Sequence, residues 1–419
     1  MIRKGLVALA LCFSSTACAT HDRGQQLHFE AVPIRISPNA IGTAQFQFGA
    51  AGDIEAIASV ERDGTAQLEA FSSRTQGNDF VDEGPISPAH TGIDVSAESS
   101  PRFAMDRDEL LYALWREDNP SQQLFVAIHD WRTGKYTAPI AVRDAGARGF
   151  AGFGNIAAGP GNAVYMVWLD ERDLMKSGDA SAVYFASMKD GRVSRNVRVA
   201  SSTCSCCRPA IAVASNGTIY VAWRHDDRDL RDMAVASSRD GGRTFSPLHY
   251  VAHDGWKLHG CPESGPSLLV VRNRLYVAWF TMGADARPRV LLAHSDDGGA
   301  TFSAAAEISA PTLDANHPML FALKPSGVGV VFQARDPRSG GGWSHLVPYF
   351  AQIRQDGTAT EPQPIASPGT ADATYPYAVS RDAQSLFVSY SLGSRAELLR
   401  GRSPLAVTSA FTGTSVLRE

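Results

Sequence analysis

The sequence predicts an all-β fold, a propeller of four-stranded blades, from three observations. A short β-rich run that contains or ends near an aromatic residue recurs at intervals of about 45 to 60 residues, which is the range of propeller blades. The 37 glycines and 23 prolines supply turns for many short strands. No long segment after the N-terminal region has the 3.6-residue period of an amphipathic helix.

The recurring run is found seven times, so the sequence predicts seven blades. The copies are Asp53–Asp63, Leu110–Asp118, Ala163–Arg172, Thr218–Arg228, Arg274–Gly283, Gly327–Asp336 and Ser385–Gly393. Most are preceded by one strand-like run and followed by two more, which makes four strands per repeat. The run Phe29–Ser37 resembles a fourth strand without a blade of its own. We expect it to pair with the last blade and to close the ring, because closure removes exposed sheet edges.

The first 19 residues are typical of a bacterial export signal: a short basic region, an apolar stretch too short to span a bilayer, and small residues. Two processing sites remain open. Ala17–Ala19 fits ordinary cleavage, and Ser15–Cys18 resembles a lipobox in which Cys18 is lipidated. We favour the lipobox, although Ser15 stands where that motif usually has leucine.

The expected mature protein is therefore periplasmic or an outer-membrane lipoprotein, with any membrane attachment made by a lipid anchor. Residues 27–419 are expected to form a single propeller. A net charge of −4 without any basic run excludes nucleic acid as an expected partner. We expect a monomer.

Two loops in adjacent repeats carry the pattern S-x-D-x-G-x-T-F. The matching residues are Ser238, Asp240, Gly242, Thr244 and Phe245, and then Ser295, Asp297, Gly299, Thr301 and Phe302. The pattern resembles the Asp box of the sialidase-like, or BNR-repeat, propellers. The resemblance implies hairpins between third and fourth strands, on the face opposite the ligand site, in which aspartate accepts backbone N–H groups. Because family sialidases have six blades, six remains an alternative to seven.

The mature chain has its cysteines in loops that lead into the first strands of two adjacent blades, and we expect them to meet at the channel mouth. They are Cys204, Cys206, Cys207 and Cys261. Disulfides are favoured in an exported protein. A soft-metal site for copper or zinc and redox-active thiols remain open, because thiolates favour such ions. Nearby loops can add imidazoles from His225, His253 and His259.

The loops between second and third strands are rich in charge and form either a solvated rim with internal ion pairs or a polar ligand site. The resemblance implies further candidates for a sialidase reaction, which uses arginines to hold a carboxylate and a tyrosine nucleophile with a carboxylate partner. The arginines are Arg102, Arg208, Arg224 and Arg228. The nucleophile is Tyr375 or Tyr377, with Glu263 as its partner.

The Arg-Ile-Pro sequence that opens the first strand in family sialidases is not matched here. Ile34–Pro38 and Cys207–Ile211 come near it without reproducing it. We therefore predict a propeller that binds a glycan, another small ligand or a soft metal ion on its cysteine-bearing face, without assigned catalysis. An exo-sialidase-like glycoside hydrolase is the alternative.

Overall fold

The computed structural model describes residues 27–30, 34–88, 92–117, 123–174, 181–339, 341–366, 369–382 and 385–402. The predicted export signal and the lipidation site at Cys18 lie outside the described residues. Within them, no helix has the length and apolar character needed to cross a membrane. The described chain folds into strands joined by turns, with two short 3-10 turns at Pro160–Asn162 and Gly341–Trp343.

The strands follow one another in short antiparallel groups. They are β1 His28–Phe29; β2 Ala40–Phe48, β3 Ile54–Arg62, β4 Thr65–Ser73, β5 Val81–Pro85; β6 Arg102–Met105, β7 Leu110–Glu117, β8 Gln123–Asp130, β9 Lys135–Tyr136, β10 Ile140–Ala141; β11 Ala151–Ala158, β12 Val164–Asp170, β13 Ala182–Lys189, β14 Arg192–Val193, β15 Val197–Ala200; β16 Ala210–Val213, β17 Ile219–Arg224, β18 Met233–Ser238, β19 His249–Ala252; β20 Ser267–Val271, β21 Arg274–Thr281, β22 Arg289–Ser295, β23 Ala306–Glu307; β24 Leu313–Leu323, β25 Gly327–Arg335, β26 Val347–Ile353, β27 Gln363–Pro364; β28 Ala373–Ser380, β29 Ser385–Leu392, β30 Arg395–Arg402.

These strands make seven blades among the described residues. Five sheets are separate blades. The eight-stranded sheet consists of two blades, which are counted as one sheet because β2 and β30 are paired at Ile41 and Arg395. The first strand of each blade contacts the first strands of both neighbouring blades, in the cycle β2, β6, β11, β16, β20, β24, β28 and back to β2. The predicted all-β propeller is confirmed with seven blades, and each recurring run forms a second strand.

The N-terminal strand β1 belongs to the seventh blade. It runs antiparallel to β30, with His28 opposite Arg402 and Phe29 opposite Gly401. An isolated bridge between Ile34 and Leu398 extends the pairing. The last blade thus takes its outer strand from the beginning of the chain, as the run Phe29–Ser37 predicts.

An aromatic residue lies in six of the seven second strands, all but β3, and four of these strands carry a buried tryptophan. Trp115, Trp168, Trp223 and Trp279 are at most 1% exposed and fill the wedge between adjacent blades. The buried side chains form seven large clusters, and each joins residues from two neighbouring blades. The core is therefore a ring of interfaces between blades. The first strands and the loops that enter them surround the central axis.

Candidate functional site

A cavity of about 290 Å³ lies where the first strands converge, and residues from all seven blades or their entry loops line it. Polar side chains dominate the part nearest the entry loops. They are Thr43, Gln45, Glu98, Ser100, Arg102, Asn155, Arg208, Glu263, His317, Tyr375 and Tyr377. We call this space the channel cavity. Its walls come from positions far apart in sequence, because each blade contributes only a few residues to the axis.

A tyrosine and a carboxylate are paired across the channel cavity. The phenol of Tyr375, at the start of β28, donates a hydrogen bond to Glu98 Oε1, in the loop that leads to β6. Burial, this hydrogen bond and the negative charge of Glu98 raise the pKa of Tyr375 above its ordinary value. The Tyr375 N–H donates to Gln333 Oε1 at 2.6 Å, and the Thr43 hydroxyl donates to the Tyr375 carbonyl at 3.0 Å. The last two bonds fix the main chain of Tyr375 at the position from which its phenol reaches Glu98.

The predicted partner of Tyr375 was Glu263, and the structure corrects it. Glu263 lines the same cavity, but the phenol of Tyr375 is hydrogen-bonded to Glu98. The main-chain carbonyl of Glu263 accepts a hydrogen bond from His317 Nε2 at 2.9 Å. The second candidate nucleophile, Tyr377, lies two residues further along β28. Its ring centroid is 5.5 Å from that of Phe46.

His317 holds the tyrosine in place from the neighbouring blade. Its ring centroid lies 4.3 Å from that of Tyr375, and its Nδ1 lies 2.7 Å from Asn316 Oδ1. Burial lowers the pKa of His317 to about 4, so the imidazole is neutral at pH 7. In the neutral ring Nε2 carries the single proton and donates it to the Glu263 carbonyl, so this bond fixes the imidazole against the ring of Tyr375.

Two arginines bring positive charge to the channel cavity. The guanidinium of Arg208 donates hydrogen bonds to three main-chain carbonyls. Nε and Nη2 lie 3.0 and 2.7 Å from the Glu98 oxygen, Nη2 lies 2.8 Å from the Ser100 oxygen, and Nη1 bonds to the Gly154 oxygen. Arg102 donates to Ser100 Oγ at 2.8 Å and to the Pro101 carbonyl at 3.3 Å. Burial lowers the pKa of Arg102 to about 10, which leaves it charged at pH 7. Among the described residues, no carboxylate oxygen lies within 4.0 Å of either guanidinium.

The other two predicted arginines are not in the channel cavity. Arg224 is fully buried at the end of β17 and donates to the carbonyls of Ser264 and Phe280 at 2.8 and 2.7 Å. Arg228 is 91% exposed and pairs with Asp227. The predicted set of arginines that would hold a carboxylate is therefore reduced to Arg102 and Arg208. The loop between β17 and β18 carries Arg228 outwards, away from the axis.

The charged loops between second and third strands are held in internal ion pairs. Asp170 is fully buried and accepts from Arg143 Nε at 3.1 Å, Arg172 Nη2 at 2.7 Å and Trp168 Nε1 at 2.8 Å. Arg116 pairs with Asp94 at 2.9 Å. Of the two interpretations of these loops, the structure matches the rim with internal ion pairs.

Three cysteines come together beside the channel cavity. Cys204 Sγ lies 3.6 Å from Cys206 Sγ and 3.3 Å from Cys207 Sγ, and all three side chains are buried. Phe153 packs against them, and Cys206 also lines the cavity. Hydrogen bonds from the two neighbouring thiols and the positive charge of Arg224 lower the pKa of Cys204, while burial and its neighbours raise the pKa of Cys207.

The fourth cysteine and the predicted histidines do not join this group. Cys261 is exposed, and the group of close sulfurs contains only Cys204, Cys206 and Cys207 among the described residues. Arg231 donates to the carbonyls of Leu258 at 3.2 Å and Gly260 at 3.4 Å, which ties the Cys261 loop to the loop between β17 and β18.

The predicted imidazoles are occupied elsewhere. His259 faces Asp229, and His253 faces Asp232 at 3.0 Å. The ring of His225 lies against that of Tyr250, with 5.7 Å between centroids. The loops that enter the fourth and fifth blades do meet, but at Arg208 and Gly265 and not at the cysteines. The two backbones are so close there that a Cβ added to Gly265 would lie 2.0 Å from the Arg208 carbonyl oxygen.

The two S-x-D-x-G-x-T-F loops lie between third and fourth strands. Asp240 accepts from the Thr244 N–H at 3.0 Å and its hydroxyl at 2.6 Å, and Asp297 accepts from Thr301 at the same two distances. Gly242 has a φ of 85°, and a Cβ there would lie 2.0 Å from Phe185. These hydrogen bonds are local, so the loops stabilise the hairpins on which they lie.

The fold is similar to that of solved structures of saccharide-acting propellers. A polysaccharide lyase is 12% identical over 88% of this chain and 90% of that chain, with a TM-score of 0.54. The α-L-arabinofuranosidase from Fusarium graminearum is 10% identical over 90% and 98%, with a TM-score of 0.51. The NanB sialidase from Streptococcus pneumoniae is 9% identical over 88% and 70%, with a TM-score of 0.47. At these identities the likeness to the lyase and the arabinofuranosidase, whose TM-scores exceed 0.5, shows the fold alone. No protein-family model matches the chain, and no curated protein matches it.

Proposed function

We propose that the channel cavity binds an acidic saccharide. The observation that carries the proposal is the pair Arg102 and Arg208, two guanidinium groups that line the cavity without a carboxylate partner among the described residues. Glu98 and Glu263 line the same cavity, but neither carboxylate lies within 4.0 Å of a guanidinium group. A buried cation is costly unless an anion contacts it. A uronate or another carboxylated sugar supplies that anion, and Arg102 has donors left to bind it in a charge-assisted way.

The lining is also suited to a sugar ring. Tyr375 and Tyr377 present aromatic surface, and Arg102, whose two hydrogen bonds to the protein both come from Nη1, has further N–H groups that can bind hydroxyl groups. The names of the two solved structures with TM-scores above 0.5, a polysaccharide lyase and an arabinofuranosidase, make a saccharide the first ligand class to test.

Calorimetric titration of the full chain with trigalacturonate, and with the neutral arabinotriose, tests the proposal. We expect trigalacturonate to bind and arabinotriose to bind at least tenfold more weakly. Arg102→Gln should remove that preference. Arg192→Gln is the matched control, because Arg192 is exposed in β14 at the outer side of the third blade. Equal affinity for both sugars, or no effect of Arg102→Gln in a folded variant, would refute the proposal.

A glycoside hydrolase is the second candidate, and the Tyr375–Glu98 hydrogen bond is the observation that favours it. In such a reaction the phenol oxygen attacks the anomeric carbon while its proton passes to Glu98, and the glycosidic bond breaks as the leaving group takes a proton from solvent. Water then hydrolyses the bond between the sugar and Tyr375, and Glu98 returns its proton to the phenol oxygen. Release of fluorophore from an aryl sialoside or an aryl uronide, abolished in Tyr375→Phe, supports it. An absence of turnover on both, by protein that binds trigalacturonate, leaves the binding function alone.

We also propose that the protein acts outside the cytoplasm, since its first 19 residues have the features of an export signal. Expression with radiolabelled palmitate, followed by membrane fractionation, tests lipidation at Cys18. Label in the membrane fraction, lost in Cys18→Ala, supports the lipoprotein. Unlabelled protein released with the periplasm indicates ordinary cleavage.

A further inference from the structure

We propose that Cys204, Cys206 and Cys207 form a three-coordinate site for a soft monovalent ion, Cu(I), beside the channel cavity. The proposal is independent of saccharide binding. It rests on the spacing of the three sulfurs, on their apolar enclosure and on a nearby buried cation.

The spacing of the sulfurs fits one ion held between them. The two shortest separations are 3.3 and 3.6 Å, and all three sulfurs lie within 4.8 Å of one another. Three ligands at a metal–thiolate distance of ~2.3 Å in a plane lie about 4 Å apart. A disulfide would need ~2.0 Å between two of the sulfurs. A small inward or outward movement of the side chains therefore suffices for coordination.

The number of ligands distinguishes copper from zinc. Structural zinc sites are tetrahedral and use four protein ligands. Here the described residues bring together three sulfurs and no histidine, aspartate or glutamate. Thiolate ligands select soft ions, of which Cu(I) accepts a trigonal arrangement. Phe153 packs over the cluster and keeps it apolar, while Cys206 lines the channel cavity and gives the ion an approach from the axis.

Arg224 supplies the charge balance that such a site needs. Its guanidinium is fully buried, bonds to carbonyl oxygens, and has no carboxylate oxygen within 4.0 Å among the described residues. The Cys204 N–H donates to the Arg224 carbonyl at 3.0 Å, so the cysteine loop is tied to the same strand end. Each thiol that becomes a ligand releases its proton to solvent. Three thiolates and Cu(I) carry a charge of −2, which Arg224 partly offsets.

The experiment uses the full chain, purified from the periplasm, reduced with a phosphine and titrated anaerobically with Cu(I) against a chromogenic chelator. We expect one Cu(I) per chain and an X-ray absorption spectrum with three sulfur neighbours. Cys204→Ser and Cys207→Ser should weaken binding at least tenfold. Cys261→Ser, the matched control, should leave it unchanged, because Cys261 is exposed and outside the cluster.

The proposal would be overturned by a bound ion with four protein ligands, by equal losses in Cys204→Ser and Cys261→Ser, or by a failure of reduced wild-type protein to bind Cu(I). A disulfide within the cluster of the periplasmic protein, found by mass spectrometry of alkylated peptides, would also overturn it. Because a serine in a buried cluster can unfold the chain, the sulfur count of wild-type protein decides the question without the variants.

Discussion

The phenol of Tyr375 donates a hydrogen bond to the carboxylate of Glu98 in the channel cavity, although 277 positions separate the two residues in the chain. Tyr375 comes from the first strand of the seventh blade and Glu98 from the loop that enters the second. Closure of the ring is what makes them neighbours, so the chemistry of the channel depends directly on the blade arrangement.

The first prediction concerns the titration of this pair. Glu98→Gln should lower the pKa of Tyr375, because the variant removes a negative charge that opposes formation of the tyrosinate. Burial still acts on the phenol, so its pKa should remain above the ordinary tyrosine value. NMR of protein labelled at tyrosine Cζ measures the shift, with Tyr375→Phe to assign the signal. An unchanged pKa in Glu98→Gln would mean that the two groups are not in contact.

A second prediction addresses the interfaces between blades. Trp223→Ala should lower the free energy of unfolding by about 3 to 5 kcal/mol, since it empties a fully packed wedge between the third and fourth blades. Trp343→Ala is the control, because Trp343 is 96% exposed and should change stability by less than about 0.5 kcal/mol. Urea unfolding followed by circular dichroism gives both values. Equal effects would contradict the assigned packing.

A third prediction tests the contact between the two entry loops. Gly265→Ala places a Cβ 2.0 Å from the Arg208 carbonyl oxygen, so the wall of the channel must move. We expect a loss of about 1 to 3 kcal/mol in stability and weaker binding of trigalacturonate. Gly342→Ala, where nothing lies within 4 Å of the added Cβ, should leave both unchanged. Normal binding by Gly265→Ala would show that the loops are farther apart than the structure has them.

The pH dependence of stability provides a fourth prediction. Hydrogen bonds from Thr244 and Ser238 lower the pKa of Asp240, so its carboxylate stabilises the fold at pH values above its unfolded pKa of ~3.9. That contribution is lost as the pH falls through the lower folded value. Asp240→Asn should therefore melt at a lower temperature than wild type at pH 7, and the difference should shrink at strongly acidic pH. Asp190→Asn is the control, because Asp190 lies in the hairpin between β13 and β14, which lacks the S-x-D-x-G-x-T-F pattern, and this variant should match wild type at pH 7.

The blade count and the second strands could be predicted from the sequence because a run of buried residues recurs seven times, and in six of the copies it carries an aromatic side chain. Trp115, Trp168, Trp223 and Trp279 mark four of these runs directly. The outer strand Phe29–Ser37 could be predicted because it lacked a blade of its own.

The residues of the channel cavity were harder to predict from the sequence than the blades. Tyr375 was a candidate, but Glu98 was not, because nothing in a single sequence tells which of the seven entry loops turns its carboxylate inwards. The sequence feature that could have identified Glu98 as a cavity residue is its position before a first strand. Cys206 and Glu263, which also line the cavity, likewise precede a first strand by a few residues. Cys261 was wrongly placed with the other cysteines because carbonyl bonds to Arg231 tie its loop to the loop between β17 and β18.

A crystal structure of the protein soaked with trigalacturonate tests the central claim most directly. We predict that the sugar occupies the channel cavity, with one carboxylate bonded to Arg102 and a ring against Tyr375. A trisaccharide bound instead on the outer rim or at the S-x-D-x-G-x-T-F loops, with the channel cavity empty of sugar, would contradict the account.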